Sequence, residues 1–278
     1  MDNLFNAPAA VFEGNLKASE NKTSMSTKKT LFMGVMAGMF IALGAATSNT
    51  AAHDVANVGL ARMISGAIFP VGLMMIVLCG AELFTGNCLI AMAVMDKRVK
   101  ALAMIRNLLL VYFSNMVGGV LIAYLTYLSG NMDYTGGKLG AYTIKIAVGK
   151  AGIDPVKGIV SGILCNVLVC IAVLMAGAAK DIGGKIWAMF FPIFAFVIGG
   201  FEHCVANMYY IPAGMIAKLN PTYVDVAINE LGVSADKINA LGVAGFVNNL
   251  IWVTIGNILG GMVFIGFMYY MIHIRKEK

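Results

Sequence analysis

Residues 80–87 read GAELFTGN and residues 200–207 read GFEHCVAN, so the pattern G-x-E-x-x-x-x-N is written twice, 120 residues apart. Each copy sits inside a long apolar run. From Arg62 to Asp96 the only charge is Glu82, and from Lys185 to Lys218 the only charge is Glu202. A helix needs roughly 20 apolar residues to cross the hydrocarbon core of a bilayer. Each run is therefore too long for one straight crossing and too short for two with a turn. A single crossing made by a helix interrupted near its glutamate fits both.

Outward from these two runs, residues 30–53, 107–132, 158–179 and 238–274 are uncharged and each holds one crossing, which brings the total to six. The remaining crossings also match in order. Asn115, Gly118 and Gly119 in span 3 repeat as Asn257, Gly260 and Gly261 in span 6, both N-x-x-G-G. Span 1 carries Gly34 and Gly38 where span 4 carries Gly158 and Gly162, a small-xxx-small packing pattern in each. Two halves of three crossings follow, about 30–130 and 156–273, and because three is odd the second half must be inserted upside down. The expected fold is an all-α integral membrane protein: six transmembrane helices in two inverted three-helix repeats, with helices 2 and 5 broken. Unwound backbone is tolerated at membrane depth only where it lines a cavity or is buried in protein. The two breaks thus predict a pathway near the bilayer midplane, lined around 83–87 and 203–207. Residues 1–29 and 274–278 flank this unit as an N-terminal segment and a tail.

Composition agrees. Of 278 residues, 59% are hydrophobic and 12% charged, against roughly 25% charged in soluble domains. Soluble enzymes, secreted disulfide scaffolds and disordered chains are excluded. The net charge of +6 is scattered between apolar runs and forms no face for nucleic acid. The five cysteines lie in apolar stretches without a CxxC pair, so no disulfide framework, metal site or cofactor is expected. An even number of crossings puts both termini on one side. That side carries thirteen Lys and Arg against seven on the other, so the termini are expected in the cytoplasm of a multi-pass inner (plasma) membrane protein. No basic stretch precedes an apolar run at the N-terminus, which rules against a signal peptide. Phe5, Ala9, Phe12 and Leu16 recur at helical spacing and predict an amphipathic helix at the cytoplasmic interface, with Pro8 arguing against it.

His203 lies 18 residues from Lys185 and 15 from Lys218, at membrane depth beside a break. An ionisable group there is costly and marks a functional candidate. An imidazole with a reference pKa near 6.5 suits proton exchange; the plainer alternative is a neutral ring satisfying free backbone at the break. Glu82 and Glu202 read as structural, accepting hydrogen bonds from the orphan amides of the interrupted helices, with a proton relay as the alternative. Asn87 and Asn207 read as satisfying backbone in the same loops, and Thr85 offers a hydroxyl.

AELFTGN at 81–87, GILCNVLVCIAV at 162–173, GGFEHCVANMYYIPAGM at 199–215 and TIGNILGG at 254–261 together resemble the formate/nitrite transporter family over nearly the whole chain. The resemblance implies an aquaporin-like fold and a homopentamer with one pore per protomer. Its permeants would be small weak-acid anions: formate first, with nitrite or hydrosulfide as alternatives. It implies that His203 is the central pore histidine, faced by Thr85, with Asn257 near them and Asn166 a polar neighbour. Leu83 and Phe196 would be apolar constrictions, and Lys150 would gather anions at the outer mouth. The protein would be no enzyme: a bis-histidine haem needs paired deep histidines, and His203 is the only one of the three histidines placed at depth. A sensor would need a soluble domain, and a neutral-solute aquaporin would need NPA repeats.

Overall fold

A computed structural model describes residues 5–275, and among them every regular element is helical. Lys276 and Lys278, part of the charge balance above, lie outside the described residues. Six helical segments are long and apolar enough to cross a membrane: Thr27–Ala52, Val58–Cys79, Ala101–Leu128, Pro155–Ala178, Ile182–Gly199 and Val243–Ile274.

Helix α1 (Pro8–Ser24) precedes them. Pro8 takes the first helical position, where its missing N–H is not needed, so the residue that argued against this helix opens it. Phe12 and Leu16 are buried among Leu89, Ile90, Cys170, Leu174 and Ile265. Phe5 and Ala9 are exposed, Phe5 because it lies before the helix begins. The Phe12 ring stacks on Tyr269 at 5.0 Å and on His273 at 4.7 Å, which puts both described chain ends on one face.

Helix α2 (Thr27–Ala52) runs away from that face. Helices α3 (Val58–Ile68) and α4 (Val71–Cys79) meet at Phe69–Pro70. At Gly80 the chain turns left-handed, φ 79°, and Ala81, Glu82 and Leu83 are not helical. Helix then resumes as α5 (Phe84–Asn87) and α6 (Ile90–Met95), and α7 (Ala101–Leu128) crosses back. After α8 (Lys138–Ala151) and α9 (Pro155–Ala178), the second half shows the same local event. Helix α10 (Ile182–Gly199) ends at Gly200, φ 67°, and α11 (Cys204–Ala217) starts only after Phe201, Glu202 and His203. Glycine ends a helix in this left-handed turn without the steric penalty of a Cβ. Short helices α12 (Pro221–Asn229) and α13 (Ala235–Ala240) lead into α14 (Val243–Ile258), which continues in wider π-type turns through Leu259–Phe267 and Tyr270–Ile274.

Glycine lets the halves close. A Cβ on Gly118 would overlap the Val35 carbonyl, and one on Gly260 would overlap that of Ile163; one on Gly119 would press Met208 where one on Gly261 would press Cys88. Phe32, Leu109, Phe113, Phe191 and Phe264 point outward and are exposed, as a lipid-facing surface requires.

Candidate functional site

An interrupted helix leaves free N–H groups at the restart and free carbonyls before it, and at both interruptions one asparagine takes the glutamate carbonyl and the first N–H of the new helix. Asn115 Nδ2 donates to the carbonyls of Gly34 (2.8 Å) and Glu82 (2.9 Å), while its Oδ1 accepts from the Phe84 N–H (3.0 Å). Asn257 Nδ2 donates to Gly162 (2.8 Å) and Glu202 (3.0 Å), and its Oδ1 accepts from the Cys204 N–H (2.9 Å). A carboxamide suits the task because it is donor and acceptor at once. Asn257 thus fastens the backbone on either side of His203, and no hydrogen bond joins it to the imidazole among the described residues.

The glutamates do a different job from the one expected. Glu82 Oε2 accepts from Asn87 Nδ2 (2.6 Å), which also donates to Asn107 Oδ1 (2.9 Å). Glu202 Oε2 accepts from Asn207 Nδ2 (2.6 Å), which also donates to Asn249 Oδ1 (2.7 Å). The carboxylates therefore bind side-chain amides rather than orphan backbone, because Asn115 and Asn257 have already taken that backbone. A lysine completes each cluster. Lys22 Nζ, from α1, lies 3.4 Å from Glu82 Oε1 and 2.6 Å from Asn87 Oδ1; Lys150 Nζ, from α8, lies 2.9 Å from Glu202 Oε1. Asn107 and Asn249 hold those lysines in turn through their backbone carbonyls, at 3.1 and 2.9 Å. The clusters differ in two respects: Asn249 Nδ2 also reaches Glu202 Oε2, at 3.4 Å, and Asn207 Oδ1, the counterpart of the atom Lys22 reaches, is buried without a hydrogen-bond partner among the described residues. Asn107, Asn249 and Lys22 escaped the sequence reading. The signal was present: Asn107 stands eight residues before Asn115, and Asn249 eight before Asn257.

His203 caps α11. Its Nδ1 accepts from the Ala206 N–H at 3.0 Å, and its Nε2 lies 2.9 Å from Thr85 Oγ1. Because Nδ1 is an acceptor, a neutral ring carries its proton on Nε2 and donates to Thr85. His203 is 2% exposed and Thr85 is fully buried. Asn166 Nδ2 donates to the Thr85 carbonyl (3.2 Å) and the Asn257 carbonyl (2.6 Å), tying α5 to α14 through α9. The Phe196 ring lies 6.0 Å from the imidazole and packs edge-on against Phe69 at 5.4 Å. Phe69 is a further wall residue that the sequence alone did not single out. Leu83, two residues before Thr85, is buried at the start of α5. Lys150 Nζ also stands 5.2 Å above the Tyr210 ring.

A cavity of about 720 Å³ connects these groups to solvent, reaching from Asp54 and Lys138 down to Lys150, Phe196 and His203. It opens where α2 ends, on the face opposite the chain ends. A second cavity, of about 510 Å³, is lined by Asn21, Lys22, Met25 and Glu82 on the other face.

The profile of the family described as Formate/nitrite transporter matches residues 9–271. The chain belongs to the formate/nitrite transporter family. It is 35% identical to a probable formate transporter of Methanothermobacter thermautotrophicus, with 99% of this chain and 100% of the relative covered. To the formate channel FocA of Escherichia coli (strain K12) it is 34% identical, with 99% and 98% covered. Among solved structures it is similar to a pentameric formate channel with formate bound: TM-score 0.77, 29% identity, 90% of this chain and 98% of that one covered. An FNT family ion channel gives TM-score 0.79 at 26% identity, covering 94% and 98%. With its six apolar helices, this member of the family is a multi-pass membrane protein.

Proposed function

We propose that this protein is a channel for a small monovalent weak-acid anion, formate first, built as two inverted three-helix repeats and assembled as a homopentamer in the plasma membrane with both termini cytoplasmic. The observation that carries the reading is the Thr85–His203 hydrogen bond, made between the two helix interruptions at the floor of a solvent cavity. The matched asparagine, glutamate and lysine networks support the repeat, and the formate-bound pentameric neighbour supports permeant and assembly. On this orientation the 720 Å³ cavity is the outer vestibule.

The physics of passage follows. Burying an unpaired charge costs several kcal/mol, so Phe196 and Leu83, both buried and apolar, bar a bare anion. A weak acid escapes by crossing as the neutral molecule. Lys150 contributes positive charge at the foot of the vestibule, favouring the anion there. His203 then acts in one of two forms. As the neutral ring it offers an Nε2–H donor through Thr85. As a proton donor it must first be imidazolium, and the second proton sits on Nδ1, where it faces the Ala206 N–H. Transfer of the Nε2 proton from imidazolium to formate gives formic acid and a neutral ring still protonated on Nδ1, and the α11 cap re-forms only when that Nδ1 proton is released and Nε2 is protonated again. Proton coupling is therefore linked to opening and closing of the α11 N-cap.

The test is flux of formate, nitrite and hydrosulfide into proteoliposomes at external pH 5–8, for wild type, His203→Ala and His203→Asn. Asparagine caps a helix but does not titrate. We expect formate to dominate and His203→Asn to keep flux while losing most of its pH dependence. A wild-type pentamer that moves none of the three anions overturns the channel reading. Unchanged pH dependence in both variants overturns the proton-linked role of His203.

A further inference from the structure

Four cations line the outer vestibule (Arg62, Lys138, Lys145 and Lys150) against three carboxylates: Asp54, Glu202 and Glu230. All three carboxylates are taken. Lys138 lies 3.2 Å from Asp54 and 3.6 Å from Glu230, and Lys150 lies 2.9 Å from Glu202. Arg62 and Lys145 form no hydrogen bond or ion pair among the described residues, and both side chains are exposed to the cavity. Four cations against three carboxylates leave the vestibule a net charge of +1, with Lys138 standing between two carboxylates; Arg62 and Lys145 are its cations held in no ion pair among the described residues, while the charge of Lys150 is shared with its glutamate.

Arg62 is also placed by the fold. Its guanidinium lies over Gly200, so close that a Cβ there would stand 2.8 Å from Nη1 and 3.3 Å from Nη2. Gly200 begins the unwound segment that runs through Phe201 and Glu202 to His203. The only planar fork of donors in the vestibule is therefore parked at the head of the strand of backbone that leads to the pore histidine. A guanidinium fork matches a two-oxygen anion through paired hydrogen bonds, whereas an ammonium acts as a point charge.

We infer that Arg62 is the capture site for the incoming anion at the outer vestibule, selecting planar two-oxygen anions, carboxylate or nitrite, over single-atom hydrosulfide, with Lys145 adding attraction. The inference rests on the channel reading above and specifies how its substrate is first bound.

The experiment measures half-saturation for influx and for efflux separately, in oriented proteoliposomes, with formate and with hydrosulfide as probes. The variants are Arg62→Gln, Arg62→Lys and Lys145→Gln, each checked as a folded oligomer. Arg62→Gln should raise the half-saturation of formate influx about tenfold, the size of one charge-assisted hydrogen bond, with the maximal influx rate and the efflux half-saturation kept, the maximal efflux rate falling in proportion as detailed balance requires. Arg62→Lys should keep hydrosulfide influx at its wild-type half-saturation while formate influx stays weakened. Lys145→Gln should weaken influx of both anions alike, and less. Unaltered formate half-saturation in Arg62→Gln, or an equal change on both sides, overturns the capture site. Should Arg62→Gln fail to fold, Arg62→Lys carries the test alone, and equal behaviour of the two anions in it overturns the proposal. A wild type that conducts neither probe overturns the channel reading instead.

Discussion

Asn115 and Asn257 each satisfy two carbonyls and one N–H with a single buried side chain. Replacement by alanine strands two backbone groups, the Glu82 or Glu202 carbonyl and the following Phe84 or Cys204 N–H, since the Gly34 and Gly162 carbonyls keep their helical partners, at about 1–3 kcal/mol for each buried group left without a partner. Replacement by aspartate is no rescue, since a carboxylate accepts but cannot donate. Asn115→Ala and Asn257→Ala should each lower the thermal midpoint of the folded oligomer in detergent by several degrees or more, and the aspartate variants should do the same. A variant with an unshifted midpoint would show that the pin is dispensable. At this scale the sequence was partly legible. The N-x-x-G-G repeat marked both asparagines, yet only one was given a role, and that role was placed at the imidazole. Spacing along a helix reports which residues share a face; it does not report which backbone atoms across the bundle lack partners.

At the scale of elements, α1 is fastened at three points: the Phe12 stack on Tyr269 and His273, Lys22 on the Glu82 cluster, and a bidentate pair between Glu13 and Arg98 with both bonds at 2.8 Å. The Arg98 guanidinium, hydrogen-bonded to Glu13, holds that carboxyl below its usual range. A depressed carboxyl stabilises the folded state above its ordinary pKa, and the contribution fades as pH falls through the depressed value. Amide exchange across residues 8–24 should therefore quicken as pH falls below the usual carboxylate range, beyond the intrinsic pH effect, and Arg98→Gln should abolish that increment. Identical pH profiles for wild type and Arg98→Gln would remove the pair from the anchoring. The elements themselves were unevenly readable. The interruptions announced themselves because a glutamate in an apolar run has to be accommodated. Helix α8 did not, because it lies between the uncharged runs and carries three lysines, although its Leu139, Ile144 and Ala147 are buried.

Across the whole molecule, the two lysines that neutralise the buried glutamates come from equivalent places: α1 precedes the first three crossings and α8 precedes the last three. Glu82 is 4% exposed and Glu202 8%. Removing the partner of such a charge is more damaging than removing both, because the survivor is left buried and uncompensated. Lys22→Met should therefore destabilise the oligomer more than the double variant Lys22→Met/Glu82→Gln, and a chain beginning at Thr27, which also loses the Phe12 and Glu13 contacts, should be destabilised at least as much as the single variant although all six crossings remain. Equal stability of the single and double variants would show that solvent, not Lys22, compensates Glu82. The count of crossings was plain from apolar run lengths. The part α1 plays in the Glu82 cluster was not, because a lysine that closes a cluster through space leaves no periodicity in the chain.

The paired clusters have one more consequence. Each half, taken with the helix that leads into it, carries its own buried anion, its own counter-ion and its own pair of asparagines, so electrical neutrality is reached locally and nothing is owed across the midline. Evolution can then retune one mouth of the conduit, by altering Lys150 or its surroundings, while the other mouth keeps its electrostatics intact.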